Sequence, residues 1–446
     1  MLPKLTFFLL ITTSLFSQQE VSQFSLKEAV DFALQNNSMS KNAARDVEIA
    51  KLQKWETTAT GLPQIKAAIS YNNWLKQQIS LIPAEFFGGS TGQFSEIAFG
   101  TKQTMNGTVT VSQKLFDGSY LVGLQAAKVY LEISENAKEK TAIELRKMVA
   151  YAYGNALLSE ENLNIVNSNI RLLEKNLSDL IKVYENGFIE QESIQQLQLT
   201  LASLKSNQNY IKRLNKIAYQ MFNNTIGLDL DTPVELTDNL GQLIAMYASL
   251  KPLESILEVE NVVDYKIAFN DLKSKELLLK LEKSKALPTL DVFLNGSYSG
   301  NNNQFNFLDK SQNWFGASLF GVSMKVPLFS SFGRSASTKK ARLNLEKSKS
   351  LLKDTSEKIK LEISRAKSEY EFAVEDLEIK KEALELSENI AKKNEIKFFE
   401  GLVTSFDLSQ AQRQLYTAQE DYLSSMLNIL VKRVNLEALI TPTLKN

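Results

Sequence analysis

Two glycine-tipped hairpins, one in each half of the chain, constrain this sequence more than any other feature. The stretch Tyr184–Gln198 recurs as Phe398–Gln412, and in each copy a glycine (Gly187, Gly401) separates a long heptad-patterned segment from a shorter one. Leu62-Pro63 recurs as Leu287-Pro288, and Leu115-Phe116 as Leu328-Phe329, in the same order and about 213 to 225 residues apart. A period of half the chain is an internal duplication, so one supersecondary unit is built twice.

Each repeat changes period in the same sequence of steps. In the first, 18–226, Ser25-Leu-Lys-Glu28 is a capping-box pattern that opens a helical arm reaching about Thr60, with a break near Asn36-Asn37. Beyond Pro63 the period becomes two, and strands are expected over about 64–74 and 104–116, separated by a Gly/Ser-rich loop. Asp117 caps a long helix over 117–185, whose Leu145, Val149, Ala152, Ala156, Val166, Ile170, Leu173, Leu177 and Leu180 form an a/d seam that skips at Ser159. The return helix, 188–226, carries Leu197, Leu204, Ile211 and Phe222.

A connector, 227–250, leads to the second repeat, 251–440. This has a helical arm, strands at about 288–299 and 314–328, a long helix over 330–399, a return helix over 404–440, and then a tail, 441–446. The long helices would each be ~100 Å and the short arms ~55 Å at 1.5 Å per residue, so two short arms end to end match one long one. Phe372, Ile379 and Leu386 lie off the main seam at heptad intervals. A second stripe fits a sheet or cylinder of helices, and one broad stripe of a solitary bundle is the alternative.

The 446 residues contain 51 Lys and Arg, 51 Asp and Glu, and neither Cys nor His. Balanced charge gives no field for nucleic acid. Without Cys and His there are no disulfides, thiol nucleophiles, Cys/His zinc sites or Ser-His-Asp triads. Leu5 to Phe16 is an apolar run behind Lys4, too short to span a bilayer and suited to a signal peptide, 1–17. With no later run of ~18 apolar residues, only a barrel could take this chain into a membrane. Four strands of about 10 residues fit outer-membrane strand length but are too few to close a barrel. Open edges in lipid would cost tens of kcal/mol, so identical chains must share one barrel.

The order Leu-Pro, two strands, Leu-Phe-(Asp/Ser)-(Gly/Ser), long helix and Gly-tipped return helix with Leu197-Gln198 and Ala411-Gln412 resembles the TolC-like outer-membrane efflux duct family. The resemblance implies an α+β membrane protein of two structural repeats, each of two β-strands plus long coiled-coil helices. It further implies a homotrimer whose chains give four strands each to a 12-stranded barrel in the outer membrane, continuous with a periplasmic α-helical tunnel. The tips, Gly187-Phe188-Ile189 and Gly401-Leu402-Val403-Thr404, would dock a periplasmic adaptor protein attached to an inner-membrane pump. Left-handed helix C-caps are the plainer role for both glycines.

The family places acids six and nine positions after the second tip glycine. Asp407 fills the first position and Gln410 stands in the second. The departure leaves one carboxylate per chain at the tunnel entrance, and a helix N-terminal acid is the alternative role for Asp407. The expected function is a passive duct for efflux or type I secretion, with no catalytic residues, cofactor or metal and no nucleic-acid partner. A trimeric coiled-coil surface protein, structural or adhesive, explains the heptads but not the duplicated strand pairs. Acids lie mostly on outer heptad positions, which gives a carboxylate-pair hydrolase nothing to converge on.

Overall fold

The computed structural model describes residues 22–187, 189–248 and 258–440. The expected signal peptide 1–17, Phe188, the tail 441–446 and the end of the connector lie outside the described residues. The chain divides into two compact units. One comprises Met1–Ala44, Lys138–Val262 and Lys358–Asn446, and the other Arg45–Ala137 and Val263–Glu357.

The second unit is organised on an antiparallel sheet of β2 (Gln64–Asn73), β5 (Gln103–Asp117), β7 (Thr289–Asn302) and β8 (Trp314–Lys325), in the order β2-β5-β7-β8. The two repeats therefore meet at β5 and β7, in register from Gln103↔Asn302 to Asp117↔Thr289, with a bulge between Lys114 and Phe116. Helix α6 (Val263–Ser284), most of α2 (Ser38–Ala59) and the first parts of α3 (Gly118–Glu185) and α7 (Gly333–Phe399) complete this unit. Asp117 accepts hydrogen bonds from the Ser119 and Tyr120 amides, so β5 passes straight into α3.

The matching junction of the second repeat is built differently. β8 stops at Lys325, and Ser331 and Phe332 adopt positive φ (47° and 64°) before α7 starts. The Arg334 guanidinium holds this link by donating to the Pro327 and Leu328 carbonyls and to Ser330 Oγ. The strand expected to 328 and the helix expected from 330 are both shorter for this reason. The Gly/Ser-rich loop of the first repeat also has structure of its own, a hairpin of β3 (Ile79–Pro83) and β4 (Phe94–Ala98) joined through a 3-10 turn at Ala84–Phe87.

The first unit is helical. The remainders of α3 and α7 pack with α4 (Gln191–Ile226) and α8 (Ser405–Ile440) around two apolar clusters. One centres on Leu145, Tyr153, Phe222, Tyr370 and Leu430, the other on Ile170, Leu173, Leu180, Leu197, Phe398 and Leu408. α1 (Leu26–Asn36) closes the first cluster. Its capping box is present in full, with Ser25 Oγ accepting from the Glu28 amide and the Glu28 carboxylate accepting from the Ser25 amide. A short parallel pair, β1 (Ser22–Phe24) with β6 (Val234–Leu236), and helix α5 (Leu240–Tyr247) form the connector's contribution. Tyr153 Oη ties these together, donating to Phe24 O and Asp238 Oδ2, while Asp238 also accepts from the Leu26 amide.

The skipped seam position Ser159 is a polar contact, its Oγ accepting from Asn215 Nδ2 of α4. Further amides cross the bundle. Asn167 accepts from Gln208 of α4, and Asn169 and Asn176 donate to Gln419 of α8 and Glu395 of α7.

Candidate functional site

In an antiparallel ladder, directly paired residues share a face. Ile65, Val111, Leu294 and Phe320 thus form one row across all four strands. Parallel rows on that face hold Ala67, Val109, Gly296 and Ser318, then Ile69, Gly107, Tyr298 and Gly316, then Tyr71, Met105, Gly300 and Trp314. Below the first row lie Val292 with Val322, and Leu290 with Phe116 and Met324.

The opposite face carries Lys66, Thr110 and Asn295, then Ser70, Asn106 and Ser299, with Phe293, Phe315 and Leu319 as its apolar members. Among the described residues only the loop aromatics Phe305 and Phe307 pack on one end of the apolar face, and the rest is open: Ile69 is 82% exposed and Phe320 68%. One long edge of the sheet, β2, and the other, β8, pair with no further strand among the described residues. At one end of the apolar face Tyr71, Phe305, Phe307 and Trp314 stack edge to face or tilted, with centroids 5.5 to 6.4 Å apart. Near the other end Phe329 and Phe332 do the same at 5.9 Å.

The two hairpin tips lie in the helical unit. Gly187 has φ of +80° and donates to Tyr184 O; Gly401 has φ of +76° and donates to Phe398 O, with the Leu402 amide reaching back to Lys397 O. Both are left-handed C-caps, which accounts for glycine at each. Ile189 and Val403 pack on the same apolar cluster, so the two tips share one core. Leu402 is exposed.

Thr404 caps α8. Its Oγ1 accepts from the Asp407 amide at 3.2 Å, and Asp407 Oδ2 accepts from the Thr404 amide at 3.0 Å and hydroxyl at 2.7 Å. These bonds hold the Asp407 carboxyl below the usual carboxylate range. Gln410 follows on the same exposed helix face and lines a groove of about 500 Å³ between α7 and α8, with Lys380, Ser387, Ile390, Arg413 and Asp421. Asp421 pairs with Lys380 at 2.8 Å. The structure therefore gives Asp407 a capping role and puts Gln410 in the groove. Gln412, named above only as part of the tip motif, is buried with Ser409, which the sequence did not single out, and among the described residues Gln412 Oε1 and Ser409 Oγ have no hydrogen-bond partner. Their signal was two polar residues three apart beside the seam of α8.

Residues 271–441 match the family model for outer membrane efflux proteins. The CusC structure superposes with a TM-score of 0.73 at 17% identity, over 93% of this chain and 91% of CusC. The fold is that of the TolC-like outer-membrane efflux channels. The efflux-channel fold is seen again in the outer membrane protein VceC of Vibrio cholerae, with TM-score 0.69, 16% identity and coverage of 93% and 95%. The Campylobacter jejuni outer membrane channel CmeC gives 0.70 and 16%, covering 93% of this chain and 85% of CmeC. A comparison with curated proteins finds no match.

Proposed function

We propose that three copies of this chain form a passive duct across the outer membrane of a Gram-negative bacterium, with a large periplasmic part, as the channel component of a tripartite efflux or type I secretion system. The observation that carries this reading is the uncovered apolar face on a sheet with two free long edges. Its rows run from Leu290 to Gly300 on β7, ten steps of ~3.4 Å, or about 34 Å along the strand. A strand tilt of about 40° turns that into a band ~26 Å tall, against the ~25 Å of outer-membrane barrels. Edge β2 of one copy would pair with edge β8 of the next, closing 12 strands and satisfying both rows of backbone groups. The apolar face would meet lipid and the Lys66, Thr110 and Asn295 face the lumen.

In this reading the duct performs no chemistry. A periplasmic adaptor would dock on Gly187-Phe188-Ile189 and Gly401-Leu402-Val403-Thr404, an inner-membrane pump would supply the energy, and the tips would open by sliding their helical seams. Asp407 and Gln410 would stand at the entrance, with Asp407 contributing charge from its capped position.

The test is conductance of the purified protein in a planar bilayer, beside Asp407→Ala, with heat-sensitive trimers on gels as the companion measurement. A steady pore from trimers is expected, with cation preference reduced in the variant. A pore indifferent to the substitution removes Asp407 from the entrance and keeps the duct. Absence of any trimer overturns the reading.

A further inference from the structure

The balanced charge of the whole chain hides a division. The sheet-bearing unit, Arg45–Ala137 with Val263–Glu357, holds 23 Lys and Arg against 17 Asp and Glu, a net of +6, which leaves −6 on the other unit. Much of the excess is local. From Lys310 to Leu345 there are six cations, Lys310, Lys325, Arg334, Lys339, Lys340 and Arg342, and no carboxylate.

Five of them follow one another out of the sheet. The apolar face of β8 ends at Phe320, Val322 and Met324. Lys325 comes next, then the exposed Leu328, Phe329 and Phe332 of the link, then Arg334 and the exposed Lys339, Lys340 and Arg342 on the first turns of α7. Lys339, Lys340 and Arg342 lie about 9 to 14 Å along the helix from Gly333. The packed side of this helix is marked by buried Ala341 and Ser348, the latter donating to Asp271 of α6. Of the carboxylates near this end of the sheet, Asp117 pairs with Lys114 and Glu282 with Lys285, Asp291 on β7 lies beside Lys114, and the exposed Glu346 follows Arg342 by one turn of α7.

We propose that the collar on the first turns of α7, Lys339, Lys340 and Arg342, binds the anionic phospholipid headgroups of the leaflet that borders the helix-proximal end of the barrel; Lys325 is excluded because it shares the row of Thr289 and Asp117, on the face opposite Met324. The inference rests on the duct reading, which places the apolar face of β8 in lipid. Given that placement, the order along the chain is apolar strand, aromatic link, then cations, which is the order of hydrocarbon, interface and headgroup in a bilayer. Exposed cations attract an anionic surface over about one Debye length, ~8 Å at physiological salt, a reach that the long Lys and Arg side chains extend. Arg334 is excluded from the binding set because its guanidinium is occupied by the link carbonyls.

The test uses the full-length protein reconstituted in equal parts phosphatidylethanolamine and phosphatidylglycerol, recovered in lipid discs with its boundary lipid, which is then quantified by mass spectrometry. Wild type is compared with the triple variant Lys339→Gln, Lys340→Gln, Arg342→Gln. A control triple, Lys381→Gln, Lys392→Gln, Lys393→Gln, removes equal charge from exposed positions of α7 in the other unit. The expected result is phosphatidylglycerol enriched two-fold or more around wild type and control. The enrichment should fall to the bulk ratio in the collar variant, and toward it at 1 M salt, where screening acts within ~3 Å. Equal enrichment in the collar variant overturns the proposal. Wild type that conducts with boundary lipid at the bulk ratio overturns it and leaves the duct standing. Wild type that never enters the bilayer overturns both.

Discussion

At the residue scale the informative groups are those whose bonds serve two elements at once. Thr404 and Asp407 cap α8 reciprocally, and Thr404→Ala should cost about 1 kcal/mol, read as a lowered denaturation midpoint with local loss of amide protection at the tip. Asp407 adds a pH dependence. Because its folded pKa lies below the ordinary value of about 3.9, the stabilisation is complete above that value and disappears as pH falls through the folded one. Hydrogen exchange, corrected for intrinsic rates, should therefore show the first turn of α8 losing protection below about pH 4, while Asp407→Asn shows no such step. Tyr153→Phe removes a hydroxyl that donates to both Phe24 O and Asp238, inside a core cluster. A loss of about 1–3 kcal/mol is expected in chemical denaturation. The helix N-terminal role of Asp407 was read in sequence, because that pattern is local, whereas Thr404 was named only as a tip residue and its capping bond came from the structure. The Tyr153 bond could not, since its partners are 129 and 85 residues away.

At the element scale the four long helices of the helical unit, α3, α4, α7 and α8, are held by apolar seams interrupted by amides. Most seam residues of α3 named from heptad spacing are buried, and the interruption at Ser159 is a hydrogen bond to α4. Buried amides cost stability and fix the register between neighbours. Asn176 is buried and bonds to α7, while the half-buried Asn167 and Asn169 bond to α4 and α8. Spacing alone gave the seams but not the partners, because a heptad stripe fits any helix with a matching stripe. Close approach is set by a different residue. A Cβ on Gly154 would sit 2.6 Å from a Leu430 methyl and 2.9 Å from one of Leu427. Gly154→Val should push α8 away from α3 and cost about 1–3 kcal/mol, measurable as a drop in Tm with the helical circular dichroism retained.

At the scale of the whole molecule the sheet decides the reading. Leu294 lies in the row of Ile65, Val111 and Phe320, midway up the apolar face. Leu294→Arg should cost about 2–4 kcal/mol of membrane stability if that face meets lipid, seen as reduced recovery of trimers from the outer membrane. Lys66→Gln, on the opposite face, should be recovered normally with altered conductance. Equal recovery of the two variants would reverse or abolish the assignment of faces.

The sequence by itself determined the duplication, the period-two strands behind each Leu-Pro, the seams and the glycine tips, because each is a local pattern of φ preference or side-chain alternation. It left the β3–β4 hairpin as a loop, since five-residue strands around a glycine-rich turn (Gly88, Gly89, Gly92) carry too little alternation to register. It also treated Leu115-Phe116 and Leu328-Phe329 as equivalent. Only the tertiary structure set them apart, because β5 lies between two strands and runs directly into its helix, whereas β8 is an edge whose chain must turn through Ser331 and Phe332. The strand order, the β5–β7 joint between repeats and the two free edges were likewise decided by long-range pairing, which backbone hydrogen bonds permit between any two amphipathic strands and only the packed chain selects.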